Sequence, residues 1–310
     1  EAARGHAQLL QDLEVAASAE ALRVQWGAAG AVEVAAEVEE SKRPLRIAIV
    51  GRPNVGKSSL VNAVLGEERT IVSEVPGTTR DAIDTPFTFE QWSMILVDTA
   101  GIRRRGKIVR GVERHSVQQA DRAIARSDVV FMLIDAAEPT VSQDTHIAGH
   151  VAEQGKGLIL IVNKWDLAEP ATDRHQFARQ VDRRYRFVPW APVHFTSALT
   201  GDGIAGLLEL AVHVRDVRRR RVQTSELNRI VQRAVAEHAP RVVGSRSLKL
   251  LYVTQAEVEP PTFVFFVNDP ALLHFAYRRY LENRIRDAFG FEGTAIRMHF
   301  RRRSSEQVEM

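Results

Sequence analysis

No cysteine occurs in the 310 residues of this chain. That absence excludes a disulfide framework, thiolate-held zinc, iron–sulfur clusters and thiol catalysis, and it fits a reducing compartment. A cytoplasmic protein is therefore expected. Long apolar runs are also missing. A membrane-spanning helix needs about 18 or more consecutive apolar residues, and the sequence has none, so no membrane partner is expected. No charged-then-apolar leader follows Glu1, so no signal peptide is expected, and a first residue other than Met reads as a piece of a longer chain. Charge of one sign hardly predominates: 42 Lys+Arg face 39 Asp+Glu, a net of +3. With 45% hydrophobic residues, global disorder is excluded. At about 100–200 residues per domain, the length suits two domains.

The near-neutral total hides an uneven distribution. Residues 1–44 hold 4 basic and 8 acidic side chains, whereas residues 215–310 hold 18 and 11. An acidic head and a basic tail around a neutral middle suggest that different segments meet different partners, although Arg-rich composition can also simply keep a surface soluble. Residues 1–44 are Ala/Glu-rich with weak helical periodicity and read as an acidic linker or N-terminal remnant. From Leu45 the pattern changes to short apolar runs at 45–50, 93–97, 128–134, 158–162 and 193–195. They suit the buried strands of an α/β domain with a parallel-rich sheet and helices on both faces, expected over 45–217. A small α+β domain is expected over 218–310. It reads as a helix at 225–237 capped by Thr224 or Ser225, strands at 248–254 and 262–267, a helical stretch at 271–288 and a strand at 294–300. Asp269-Pro270 opens that helical stretch, and Pro240 and Gly244 end the first helix.

The strongest chemical signal is Gly51-Arg52-Pro53-Asn54-Val55-Gly56-Lys57-Ser58, which follows the first strand and opens a helix, with Ser59 next in line. This strand–GxxxxGK[ST]–helix arrangement is a phosphate loop. Its glycines let successive backbone N–H groups curl around phosphates, and the helix N-terminus adds a positive dipole end. Lys57 supplies charge to the β/γ oxygens, and the Ser58 hydroxyl suits Mg²⁺. Asp98-Thr99-Ala100-Gly101 follows a second strand, so Asp98 can hold the Mg²⁺ shell while the backbone at Gly101 reaches the γ-phosphate. Asn163-Lys164-Trp165-Asp166 follows a third. A carboxylate there accepts two hydrogen bonds from guanine N1–H and its exocyclic amine, which adenine cannot offer. Thr196-Ser197-Ala198 follows the last strand, where the Ala198 N–H can meet guanine O6. The implied ligands are GTP or GDP with Mg²⁺.

These four patches, in this order and spacing, resemble the guanine-nucleotide-binding core of the translation-factor-related GTPases. Pro76-Gly77-Thr78-Thr79-Arg80-Asp81 resembles the switch segment of the Era/TrmE/EngA group, where a Thr closes over Mg²⁺ and the γ-phosphate. The resemblance implies Thr79 in that role, with Thr78 as the fallback. Arg103, Arg104, Arg105, Gly106 and Lys107, with Gly111, lie where such proteins have a mobile second switch. Residues 45–303 together resemble the second GTPase domain and KH-like domain of the Der (EngA) family of bacterial ribosome-assembly GTPases. The tail carries this: Pro260-Pro261-Thr262-Phe263-Val264, then Tyr277-Arg278-Arg279-Tyr280-Leu281-Glu282-Asn283, Gly290 and the segment 294–300.

The resemblance implies GTP hydrolysis and binding to the large ribosomal subunit and its RNA, as a monomer, without DNA. It implies a catalytic set of Asn54, Lys57 and Thr79 and a metal set of Ser58, Thr79, Asp98 and Asn54. Asn54 enters because a bound K⁺ in this group stands in for an arginine finger, with a phosphate-loop Asn among its ligands. Two departures matter. Residues 1–44 hold no phosphate loop, so one of the family's two tandem GTPase domains is expected here. Between strand 262–267 and the helix containing Tyr280 there is no GxxG, so the usual KH clamp on RNA is not expected. Arg278, Arg279, Arg284, Arg286 and Arg301, Arg302, Arg303 are the candidate RNA contacts instead. Two other readings stay open: an Era- or TrmE-like GTPase with another RNA target, and a slow-hydrolysing, nucleotide-dependent RNA-binding scaffold.

Overall fold

In the computed structural model, residues 43–66, 84–99, 113–138, 142–168, 172–243 and 245–302 are described. The Pro76–Asp81 segment, Ala100, Gly101 and the basic stretch after them lie outside these residues, as do Arg303, Gly244 and residues 1–42.

The apolar runs become strands because their Val, Ile and Leu residues face apolar layers on both sides. In chain order the strands of the first sheet are β1 (Leu45–Val50), β2 (Thr85–Phe89), β3 (Trp92–Val97), β4 (Val129–Asp135), β5 (Gly157–Asn163) and β6 (Val193–Phe195). They lie side by side in the order β2-β3-β1-β4-β5-β6, all parallel except β2. The helices between them are α1 (Lys57–Val64), α2 (Glu113–Arg126), α3 (Ser142–Glu153), α4 (Arg174–Arg184) and α5 (Ile204–Arg219). One core unites α1 and α5 with the sheet, and a second unites α2, α3 and α4 with its other face. All of β5 is buried, which explains its unbroken apolar run. Strand β2 escapes a search for apolar runs. Only Phe87 and Phe89 of its five residues are buried, and Pro86 is tolerated because an edge strand has one free side. Because β1 lies between β3 and β4, the chain crosses to opposite sides from this central strand. The crevice at its carboxyl end is where ligands bind in such sheets.

The second unit begins at α6 (Thr224–Glu237), whose Leu227, Val231 and Ala234 recur on one face and are buried. Its first residue is Thr224, but the capping position falls to Gln223, not to Thr224 or Ser225. The hairpin β7 (Val242–Val243) and β8 (Arg246–Ser247) precedes a three-stranded sheet of β9 (Leu250–Glu257), β10 (Thr262–Val267) and β11 (Arg297–Arg302). Strand β10 is central, antiparallel to β9 and parallel to β11. Asn228 binds α6 to β9: its side chain donates to the Val253 carbonyl at 2.8 Å and accepts the Val253 N–H at 3.0 Å. The expected helical stretch at 271–288 is broken in two. A single 3₁₀ turn, Pro270–Leu272, is capped by Asp269, and α7 (Phe275–Phe289) starts afresh with His274 as its cap.

The last strand starts three residues later than its apolar pattern suggests, because Gly293 and Thr294 are engaged by the first unit. The Gly293 N–H donates to Trp190 O at 2.7 Å, its carbonyl accepts from Leu158 at 2.8 Å, and Thr294 bridges Gly157. Arg218, 3% exposed, donates to Gly155 O at 2.9 Å and to the Thr294 hydroxyl at 3.2 Å; burial lowers its pKa to about 10. The α5 helix serves both units, with Val214 in the first core and Val217 in the last. Gly293 has φ +72°, and a Cβ there would stand 2.2 Å from Val214 Cγ2. Strain and overpacking together should make Gly293→Ala less stable by roughly 2–4 kcal/mol. Chemical denaturation checks this; a midpoint equal to the parent's would mean that the joint is loose.

Candidate nucleotide site

The phosphate loop leaves β1 at Gly51 and enters α1 at Lys57. Val55, 1% exposed, sinks into the first core and anchors the loop's middle. The backbone bends into the left-handed region at Asn54 (φ 65°), at Gly56 (φ 99°) and, across the site, at Lys164 (φ 63°). Gly56 is required on a second ground, since a Cβ would stand 2.2 Å from Asn163 Nδ2. Ser58 and Ser59 are exposed at the start of α1. The Lys57 ammonium donates to the carbonyls of Gly51 and Arg52, curling back over the loop.

Asn163 is the knot of the site. It ends β5, is 1% exposed, and donates from Nδ2 to the Val55 carbonyl of the phosphate loop at 2.9 Å. Its Oδ1 accepts the Ala198 N–H at 3.1 Å and the Thr196 hydroxyl at 3.2 Å. One side chain thus joins three of the four sequence patches. The Ala198 N–H, expected at guanine O6, is directed to Asn163 here. Ser197 shapes that turn, its hydroxyl accepting the Thr200 N–H at 3.2 Å. Lys164 pairs with Asp135 at the end of β4, at 2.6 Å. Asp166 stands exposed on the 3₁₀ turn Trp165–Leu167. Trp165 fixes that turn, with its N–H donating to Thr196 O at 3.1 Å and its ring edge-on to Phe177 and Phe195.

Asp98 lies at the carboxyl end of β3 with φ 57°, a left-handed conformation costing about 1–2 kcal/mol for a residue with a Cβ. Thr99, buried, has its hydroxyl 2.7 Å from that of Thr85. The Arg52 side chain donates to Asp144 on α3 at 2.8 Å and to the Glu138 carboxylate at 3.0 Å and carbonyl at 2.9 Å, so it ties the phosphate loop to α3 and to the turn after β4. Burial pushes the Asp144 carboxyl up from the ordinary carboxylate range against the pull of Arg52, so acid weakens this brace sooner than it would an exposed pair. Sequence reasoning missed Asp135 and Asp144, and it gave Trp165 no role of its own. Only Asp135, at the end of an apolar run beside the site strands, left a trace that could have been followed. Thr78, Thr79, Ala100 and Gly101 lie outside the described residues.

Two family models match the chain. Residues 46–164 match a 50S ribosome-binding GTPase family, and residues 221–301 match the C-terminal KH-domain-like unit of EngA bacterial GTPases. GTPase Der of Thermomicrobium roseum is 51% identical over 267 residues, 85% of this chain and 58% of that protein. The chain belongs to the Der family. GTPase Der of Herpetosiphon aurantiacus is 50% identical over 274 residues, 88% of this chain and 60% of that one. The chain therefore spans about three-fifths of the length of these curated Der relatives. Among solved structures, Era in complex with MgGDPNP and a 16S ribosomal RNA fragment aligns at 21% identity with a TM-score of 0.42, over 85% of this chain and 94% of that one. That likeness is too loose to bear on function. As the family has it, a P-loop GTPase fold is followed by a KH-like unit. Among the described residues no helix is long and apolar enough to cross a membrane.

Proposed function

We propose that this chain is a GTP-binding and GTP-hydrolysing switch that acts on the large ribosomal subunit during its assembly, with residues 45–217 as the GTPase domain and 218–310 as the KH-like domain. The observation carrying the nucleotide part is Asn163, which holds the phosphate loop and the Thr196–Ala198 turn against each other beside an exposed Asp166. In this reading the backbone of Gly51–Lys57 takes the phosphates and the Lys57 ammonium turns from the loop carbonyls to phosphate oxygens. Asp166 reads the base. The Ser58 hydroxyl and the Asp98 carboxylate are hard oxygen donors, the kind Mg²⁺ takes in phosphate sites. Mg²⁺ there would offset charge on the β- and γ-oxygens. Thr78 or Thr79, Ala100 and Gly101 complete the set, and Asn54 supplies a carbonyl oxygen for K⁺.

The ribosomal part rests on the family match and the basic C-terminal unit. Two of the candidate arginines have other work. Arg284 pairs with Glu237, and Arg286 is held by Glu282 and by the carbonyls of Phe291 and Thr294. Arg278, Arg279, Arg301 and Arg302 are exposed. Contacts of such arginines with RNA phosphates are salt-sensitive and read little sequence. Sedimentation with isolated large and small subunits, loaded with a GTP analogue or GDP, tests the reading. Co-migration with the large subunit, stronger with the analogue, is expected. Reversing the charge of Arg278 and Arg279 together should weaken it and flatten its salt dependence while GTP binding persists. Co-migration with neither subunit would overturn the ribosomal assignment, and an unchanged salt slope would remove these arginines from it.

A further inference from the structure

One carboxylate beside the nucleotide loops has no part in the roles above. Asp84, immediately before β2, has a side chain only 14% exposed, and three donors converge on it. Its Oδ1 accepts the backbone N–H of Asp98 at 3.1 Å, and its Oδ2 accepts from Arg46 at 3.0 Å and from Arg126 at 2.7 Å. The next residue repeats the link, since the Thr85 hydroxyl meets that of Thr99. Two consecutive residues at the start of β2 therefore hold the two consecutive residues that follow β3. Arg126 is the last residue of α2, and Arg46 lies on β1, so the same carboxylate joins four elements of the first unit.

The chemistry of the contacts says what they restrain. In a regular ladder a backbone acceptor takes each inward N–H. At Asp98 a side-chain carboxylate takes it instead, just where the backbone leaves the extended region for φ 57°. A charged acceptor makes a shorter and stronger bond than a neutral one, and a carboxylate has the lone pairs to serve all three donors at once. Two guanidinium groups offset the charge that a partly buried carboxylate would otherwise carry alone. The Asp84 carboxylate thus meets the Asp98 N–H at the turn itself.

We propose that Asp84 is a positioning residue for Mg²⁺: it aims the Asp98 carboxylate by holding the Asp98 N–H, and through Arg126 it ties that aim to the end of α2. The inference rests on the reading of Asp98 as the acid of the Mg²⁺ shell. Release of a fluorescent GDP analogue from the full chain, timed at increasing Mg²⁺ concentration, tests it without recourse to turnover. Mg²⁺ should slow release in the parent. In Asp84→Ala the half-effective Mg²⁺ concentration should rise about tenfold, the loss typical when an outer partner of a metal ligand is removed. Release in EDTA should stay at the parent's rate. Asp84→Asn keeps an oxygen for the Asp98 N–H and should recover most of the shift. Thr85→Val guards against a failure of Asp84→Ala to fold, and should shift the midpoint in the same direction by less. Asp98→Ala separates the two layers. If Mg²⁺ slows release as well in that variant as in the parent, the role of Asp98 itself is wrong. If Asp98→Ala abolishes the Mg²⁺ effect while Asp84→Ala and Thr85→Val keep the parent's midpoint, the positioning role of Asp84 is overturned.

Discussion

Asp166→Asn is expected to exchange guanine for xanthine as the preferred base. Guanine presents two donors, N1–H and the exocyclic amine, to the two oxygens of a carboxylate. Xanthine keeps N1–H but carries a carbonyl where guanine has the amine. The amide of the variant offers one acceptor and one donor, which match xanthine and leave the guanine amine facing an N–H. Two hydrogen bonds to a charged acceptor contribute about 1.5–3 kcal/mol each, so GTP affinity should fall at least about a hundredfold. Asp166 is exposed, and its carboxylate has no ion pair or hydrogen bond among the described residues. The substitution should therefore leave thermal stability alone, which separates a change in recognition from a loss of fold. Direct titration with GTP and XTP is the measurement. Equal GTP binding by parent and variant would mean that the base is read elsewhere.

Turnover should be faster in K⁺ than in Na⁺ at equal ionic strength. Many Ras-like enzymes place a Gln after the Asp-x-x-Gly motif to orient the attacking water. Here that position is Ile102, which has no hydrogen-bonding group. Something else must offset the charge that grows between the β- and γ-phosphates. Asn54 is exposed on the phosphate loop, in a left-handed backbone conformation that Asn adopts more readily than most residues. Its side-chain carbonyl is suited to a large, weakly hydrated cation. Preorganised charge at this position is worth several kcal/mol in related reactions, so a rate ratio of about tenfold or more is expected. Serine keeps a short polar side chain but loses the carbonyl, so Asn54→Ser should remove most of the difference while nucleotide affinity changes little. Equal rates in the two salts would leave Ile102 without a substitute and the catalytic device unidentified.

The parts of this protein that could be read from the sequence are those whose chemistry is local. A phosphate loop needs glycines, a lysine and a serine within one turn of chain between a strand and a helix, so its residue order is its signature. The same holds for Asn163, whose neighbours Lys164 and Asp166 accompany it, and for strands such as β5 whose every residue is buried. Strand β2 was not legible, because an edge strand with a proline and only two buried side chains carries too little apolar signal in five residues. Pairings across the fold were not legible either. That Arg52 turns to Asp144, that Lys164 meets Asp135 and that Asp84 holds Asp98 depend on partners 14 to 92 residues away along the chain. Sequence alone pointed to the loops expected to bind a nucleotide. The tertiary structure decided which charged side chains near those loops act as braces, because a hydrogen bond is set by distance and direction in space, and neither is written in residue spacing once the chain has turned back on itself.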